Sequence, residues 1–268
     1  MAAPLVLKLG GELLEQPADL AHVASVAARL SESGPLVVVH GGGREIDAAL
    51  RTAGIEKVQV DGLRVTDART LEVVTAVLAG TLNTRLVAAV RRAGARAVGL
   101  SGVDASVVTV RRARPMRSTA GATVDLGLVG VPVSSGRPTL LADLLAKRYV
   151  PVVACLGVTA SGQVLNVNAD TLAAHLAAAL RARRLVIAGG TAGVLDEREQ
   201  TIASMRSRDA SALIRSGTAN RGMIAKLQAC QAALRGGVAD VLIVNGRTVT
   251  AGALRASGPA AGHTQVRP

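Results

Sequence analysis

Residues 36–50, LVVVHGGGREIDAAL, constrain the fold more than any other stretch of the chain. Leu36, Val37, Val38 and Val39 run into His40 and stop at three consecutive glycines, Gly41, Gly42 and Gly43. Ile46, Ala49 and Leu50 then recur at helical spacing. An unbroken apolar run fits a parallel strand buried on both faces, and the glycines fit a turn into a helix N-terminus. Free N–H groups and the helix dipole favour an anion at such a turn, and glycine lets a ligand come close to the backbone. A tight βα turn with no ligand has the same sequence. The glycines do not have the dinucleotide-binding spacing, and no P-loop Lys-Ser/Thr follows them.

A chain of 268 residues fits one large α/β domain or two lobes, with ample core. Hydrophobic residues make up 49%, which excludes a disordered chain. There is no Phe or Trp and one Tyr, Tyr149, so the core is built from Val, Leu, Ile and Ala. Recognition of nucleic acid by base stacking is nearly excluded. The net charge of +12 favours anionic partners. The basic residues are spread along the chain, with a local cluster at 111–117 and no basic tail, which fits a small polyanion, or a plain solvated surface rich in Arg, better than nucleic acid. Cys155 and Cys230 have no CxxC spacing, and His22, His40, His175 and His263 have no metal-ligand spacing. No signal peptide precedes Leu5, and no apolar run reaches the ~18 residues of a membrane span. The expectation is a cytoplasmic protein with no membrane segment and no dedicated metal site.

Along the chain, residues 5–9 form a strand carrying Lys8 that stops at Gly10 and Gly11. Lys8 points either to solvent at the sheet edge or into a site; a lysine is costly to bury unpaired, and two glycines beside it favour the site. Residues 17–30 read as a helix, and the strand–GGG–helix unit follows. Two glycine loops then share the C-terminal edge of one parallel sheet, where open α/β sheets bind ligands. Asp61-Gly62 marks a hairpin with Arg64 just past it. Asp67 can cap a helix over 68–79, with a break at Gly80 and a second helix over 84–93. Residues 96–100 form a strand, 107–133 a β-rich region with an exposed loop or hairpin at 111–123, 138–147 a helix and 149–156 a strand. Asn166 and Asn168 share one face of an extended segment, and Asp170 opens a helix over 171–180. Asp170 could be only an N-cap there. A strand at 185–188 leads to a third glycine loop, 189–193. A helix over 222–235 carries Lys226 near its start, and 239–244 is the last clear strand. The tail from 257 reads as poorly ordered. No Ser/His/Asp or Cys/His arrangement is apparent.

Together KLGG around Lys8, HGGG at 40–43, GLRVTD at 62–67, LAGTLN at 78–83, VGLSGVD at 98–104, NVNAD at 166–170 and GMIAKL at 222–227 resemble the amino-acid kinase family over almost the whole chain. GLRVTD and NVNAD resemble its acetylglutamate branch in particular. The resemblance implies a three-layer αβα sandwich around an open, mainly parallel sheet. Residues 1–178 would hold the amino-acid substrate and the dimer contact, and residues 179–268 would hold ATP, in one continuous kinase domain. The implied reaction moves the γ-phosphate of ATP, supplied with Mg2+, to the side-chain carboxylate of N-acetyl-L-glutamate, a step of arginine biosynthesis. Lys8 and Lys226 would stabilise the transferring group, with Asp170 holding the lysines. Gly42, Gly43, Arg64 and Asn166 would grip the amino acid. Gly10, Gly11, Asn168, Gly190, Thr191, Gly193, Thr218 and Asn220 would face the nucleotide. Without the N-terminal extension of arginine-inhibited members, the expectation is a homodimer without arginine feedback.

Where the family usually has an Asp, in a T-D-V-x-G-V pattern, this chain has Ala188-Gly189-Gly190-Thr191-Ala192-Gly193-Val194. That loop has lost its acidic side chain, which motivates an alternative, a weakened family member with a regulatory role. The net charge motivates another, a kinase for aminoadipate or glutamate on a small acidic carrier protein. GLRVTD favours the free acetylated amino acid.

Overall fold

The computed structural model describes residues 2–118, 120–133, 136–196, 198–215, 221–256, 258 and 262–268. Among the described residues, eight strands form the central sheet: β1 (Leu5–Leu9), β2 (Leu36–His40), β3 (Ala97–Ser101), β4 (Val150–Ala154), β5 (Arg184–Gly189), β6 (Ser204–Arg206), β7 (Val241–Asn245) and β8 (His263–Arg267). Their spatial order is β6-β8-β7-β5-β1-β2-β4-β3. From β7 across to β3 every pairing is parallel, whereas β8 runs antiparallel to β7 and parallel to β6. β1, β2, β4 and β5 are buried at every position, as their Val/Leu/Ile runs require of parallel strands covered on both faces.

Helices α1 (Pro17–Glu32), α2 (Gly43–Thr52), α3 (Ala68–Thr75), α4 (Asn83–Arg92), α5 (Thr139–Ala146), α6 (Ala169–Ala179), α7 (Ser207–Arg215), α8 (Arg221–Arg235) and α9 (Ala251–Arg255) complete the frame. α1 packs with α4 and α9, and α8 packs with α6 and α7, which makes two helical layers about the sheet. A second, four-stranded sheet joins Leu156–Val158, Val164–Val167, Val129–Pro132 and Val110–Arg112. β1 pairs residue by residue with both β2 and β5, so the sheet is continuous between residues 1–178 and 179–268.

Two expectations are corrected. Gly80 does not break the helix. α3 continues into α4 through a wider, π-helical stretch, Ala76–Leu82. A mid-helix glycine costs about 1 kcal/mol, and burial of Leu78, Leu82, Leu86 and Val90 on one side of the run offsets it. The resulting helix, Ala68–Arg92, is long and apolar enough by length and composition to cross a membrane. In this fold it lies against α1 and β3.

The tail is the second correction, because β8 is a buried sheet strand. Arg184 holds Asp240 through two hydrogen bonds, Nε to Oδ1 at 2.9 Å and Nη2 to Oδ2 at 2.8 Å. Its Nη1 donates to the carbonyls of Leu254 and Ala256. Gln265 Nε2 also donates to Asp240 Oδ2, at 2.6 Å. The strand's polar sequence hides it from a hydrophobic pattern, and partners distant in the chain order it.

Candidate active site

The C-terminal ends of β1, β2 and β5 bring three glycine loops to one cleft. Lys8 is the fourth residue of β1 and is buried. Its Nζ lies 2.8 Å from Asp170 Oδ1. Asp170 sits in the first turn of α6, and the helix is capped by Asn168, whose Oδ1 accepts from the N–H groups of Asp170 and Thr171. The cap therefore belongs to Asn168, which leaves the Asp170 side chain for Lys8. Burial opposes the Lys8 charge, but the Asp170 carboxylate outweighs it and holds the pKa above the usual lysine value. Burial likewise opposes the Asp170 charge, yet Lys8 and then Lys226 hold its carboxyl below the ordinary range. Lys226, half-buried on α8, is pushed down by burial and then by the Lys8 charge. The Asp170 carboxylate thus pairs with Lys8 and lies in the field of Lys226.

The second glycine loop is fixed from beneath. Asn83 Nδ2 donates to His40 Nε2 at 3.1 Å and to the Val152 carbonyl at 2.9 Å. His40 Nε2 is then the acceptor, so Nδ1–H points to the Gly41 carbonyl, 3.2 Å away. Burial pushes His40 down to about 4, which keeps the ring neutral. Leu82 and Leu78 of the π-helical stretch fill the space where a Gly42 side chain would stand. A Cβ on Gly11 would lie 2.9 Å from Gly42 Cα, so the first two loops touch backbone to backbone. α2 begins at Gly43 with no side-chain cap, which leaves its first N–H groups available.

Lys8, Gly10, Gly11, Gly42, Gly43, Arg64, Asn166, Asn168 and Asp170 all line one cavity of about 220 Å³. Asn166 Nδ2 donates to Thr66 Oγ1 at 3.2 Å. Arg64 is buried, and its Nη2 pairs with Asp47 and donates to the Gly43 carbonyl. Its Nη1 is buried without a hydrogen-bond partner among the described residues. The spacing of α2 gave no sign of Asp47, which looks like a solvent-facing residue in REIDAAL. Gly190 and Thr191 line an adjoining cavity of about 480 Å³ with Gly11, Gly43 and Arg247. Gly193 packs away from the cleft, since a side chain there would meet Thr264 of β8. Thr218 and Asn220 lie outside the described residues.

Sequence reasoning also missed Glu12, which forms part of the wall of both cavities. Its Oε1 accepts from Gly190 N–H at 3.0 Å. The third loop has no acidic residue of its own between 188 and 194, yet a carboxylate rests on it, delivered by the first loop. Cys155 donates its thiol to the His40 carbonyl at 2.8 Å, and burial pushes its pKa up, which leaves it inert as a nucleophile.

The model of the amino acid kinase family matches residues 3–245. An acetylglutamate kinase from Rhodopseudomonas palustris (strain BisA53) is 44% identical over 216 residues, 79% of this chain and 72% of the relative. One from Caulobacter sp. (strain K31) is 42% identical over 255 residues, 91% of this chain and 83% of the relative. Among solved structures, N-acetylglutamate synthase from Neisseria gonorrhoeae superposes with a TM-score of 0.80 at 26% identity, over 99% of this chain and 59% of the synthase. This chain thus spans under two thirds of the synthase. Giardia carbamate kinase shares the fold, with a TM-score of 0.67 at 16% identity. The glycine loops and buried lysine described above fall inside the matched region, and this chain belongs to the amino acid kinase family.

Proposed function

We propose that this chain is an acetylglutamate kinase, which transfers the γ-phosphoryl group of ATP to the side-chain carboxylate of N-acetyl-L-glutamate in arginine biosynthesis. The observation that carries this is the Lys8–Asp170 pair with Lys226 in electrostatic reach, at the meeting of three glycine loops. An acceptor carboxylate, with a reference pKa of about 4.3, is already ionised at neutral pH and needs no general base. The barrier is the approach of one anion to another. Ammonium groups and backbone N–H groups aimed at the transferring oxygens lower it by positioning and charge stabilisation. Asp170 is the positioning residue that lets two lysines stand close together. The half-free Arg64 guanidinium suits a substrate carboxylate, beside Gly42, Gly43 and Asn166.

Residues 1–178 hold the amino acid and residues 179–268 the nucleotide, whose phosphates lie between the two, with Gly10, Gly11 and Asn168 on one side and Gly190 and Thr191 on the other. Asp170 is committed to Lys8, and no group of three or more His, Cys, Asp or Glu among the described residues could hold a metal. That donor set fits Mg2+ that arrives with ATP, bound mainly by phosphate oxygens and water. The protein acts in the cytoplasm as a homodimer, and β3, an end strand of the sheet with no charged residue, is consistent with self-association. A coupled ADP-release assay with N-acetyl-L-glutamate, ATP and Mg2+ tests the activity. Turnover is expected, and its absence at millimolar substrates would reject the proposal.

A further inference from the structure

The glycine cradle of the cleft already holds an anion of the protein's own. Glu12 follows Gly10 and Gly11 in a single 3₁₀ turn, Gly11–Leu13, and its side chain folds back over them. Its carboxylate lies over the bare face of Gly10, where any side chain would collide with it. A Cβ on Gly189 would come within 3.0 Å of Glu12 Oε1 and 3.6 Å of Lys226 Cε. The carboxylate takes the Gly190 N–H and lies within the fields of both Lys8 and Lys226. Three glycines and one backbone donor therefore surround one half-buried carboxylate on a rotatable stem, with the Lys8 and Lys226 charges acting on it from farther off. A phosphate group would be satisfied by the same surroundings, and it cannot share them with a carboxylate.

We propose that the Glu12 carboxylate is a built-in occupant of the phosphate cradle, displaced when a nucleotide polyphosphate enters, so that Glu12 sets how tightly nucleotide is held. This rests on the assignment of the cleft as a kinase site. Glu12 holds the Gly190 loop until nucleotide enters, and its departure offsets part of the nucleotide's binding. Arg247 is the cation at hand for the displaced carboxylate. Its Nη1 lies 2.9 Å from where a Gly190 Cβ would stand, and its Nε is held by Asp19.

Calorimetric titration of the full chain with MgADP and with inorganic tripolyphosphate tests this. Glu12→Gln keeps the shape and removes the charge, and both ligands are expected to bind about fivefold tighter or more once the like charge is gone. Glu12→Asp is too short to reach Gly190 and is expected to move affinity in the same direction. Unchanged or weaker binding of both ligands in folded Glu12→Gln or Glu12→Asp would overturn the proposal. The two claims fail separately. A wild-type chain that turns over acetylglutamate while either folded variant binds both ligands no more tightly overturns only the role of Glu12. A wild-type chain with no turnover overturns the kinase assignment itself.

Discussion

Lys8 Nζ and Asp170 Oδ1 lie 2.8 Å apart, and the two residues are each only 5% exposed. One partner comes from the first strand and the other from a helix more than half the chain later. Removing either alone strands a buried charge. Asp170→Asn is expected to cost about 3 kcal/mol in denaturant unfolding, because breaking a buried pair leaves its partner uncompensated. Replacing both, as in Lys8→Met with Asp170→Leu, is expected to restore most of that stability with activity still lost. A double variant no more stable than Asp170→Asn would show that the pair does not act as a unit.

The same pair has a pH signature. The folded pKa of Asp170 is depressed, so its contribution is present above the unfolded value and fades as pH falls through the folded one. That of Lys8 is raised, so its contribution is intact below the unfolded value, 10.5, and fades as pH rises through the folded one. Thermal melts should therefore show an alkaline loss of stability that the double variant lacks.

His40 acts in a different window. Its folded pKa of about 4 lies below the unfolded 6.5, so protonation favours unfolding as pH falls between these values. The contribution amounts to about 3 kcal/mol, spread across that interval. His40→Gln should flatten the stability–pH curve between pH 6.5 and 4. An unchanged slope in that variant would contradict a neutral, buried His40.

Asp47 positions Arg64, with Lys57 as a second partner of the same carboxylate. Asp47→Asn is expected to raise KM for the acidic amino acid about tenfold, with kcat changed less, since a charged hydrogen bond that orients the guanidinium is lost. Arg64→Lys should do at least as much, because the planar fork is lost. Lys57→Ala, at a partly exposed position, should matter little. A KM for acetylglutamate that does not respond to Asp47→Asn would remove Arg64 from that role.

Much of this was legible in the chain. β1, β2, β4, β5 and β7 are written as apolar runs, and the glycine loops follow three of them. Lys8 stood out as a charge at the end of an apolar strand beside two glycines, and the fold buries it against Asp170. β8 was not, since HTQVR has no apolar alternation and depends on Asp240, Val241–Val244 and Thr264 contacts made across the sheet. Glu12 and Asp47 were hidden for a related reason. Each looks like a surface carboxylate until the fold brings Gly190 or Arg64 beside it. Gly80 misled because local propensity was outweighed by the leucines around it.

The Arg184–Asp240–Gln265 cluster gives the tail a measurable weight. Asp240→Ala is expected to cost about 3 kcal/mol, because it leaves the buried Arg184 guanidinium without its counter-charge. Gln265→Ala, which removes one hydrogen bond to the same carboxylate, should cost about 1–2 kcal/mol. Equal stability of wild type and Asp240→Ala in denaturant would mean that β8 is held by its backbone pairing alone.

The proposed mechanism has Lys8 and Lys226 together make the meeting of two anions tolerable. Its most direct test is kcat for Lys8→Ala and Lys226→Ala in the ADP-release assay, with folding checked by circular dichroism. Each is expected to lose at least about a hundredfold, the scale of removing one preorganised donor to a developing charge. Turnover within a factor of about two of wild type in either folded variant would contradict it, since a group that stabilises the transferring phosphoryl cannot be removed at so small a cost.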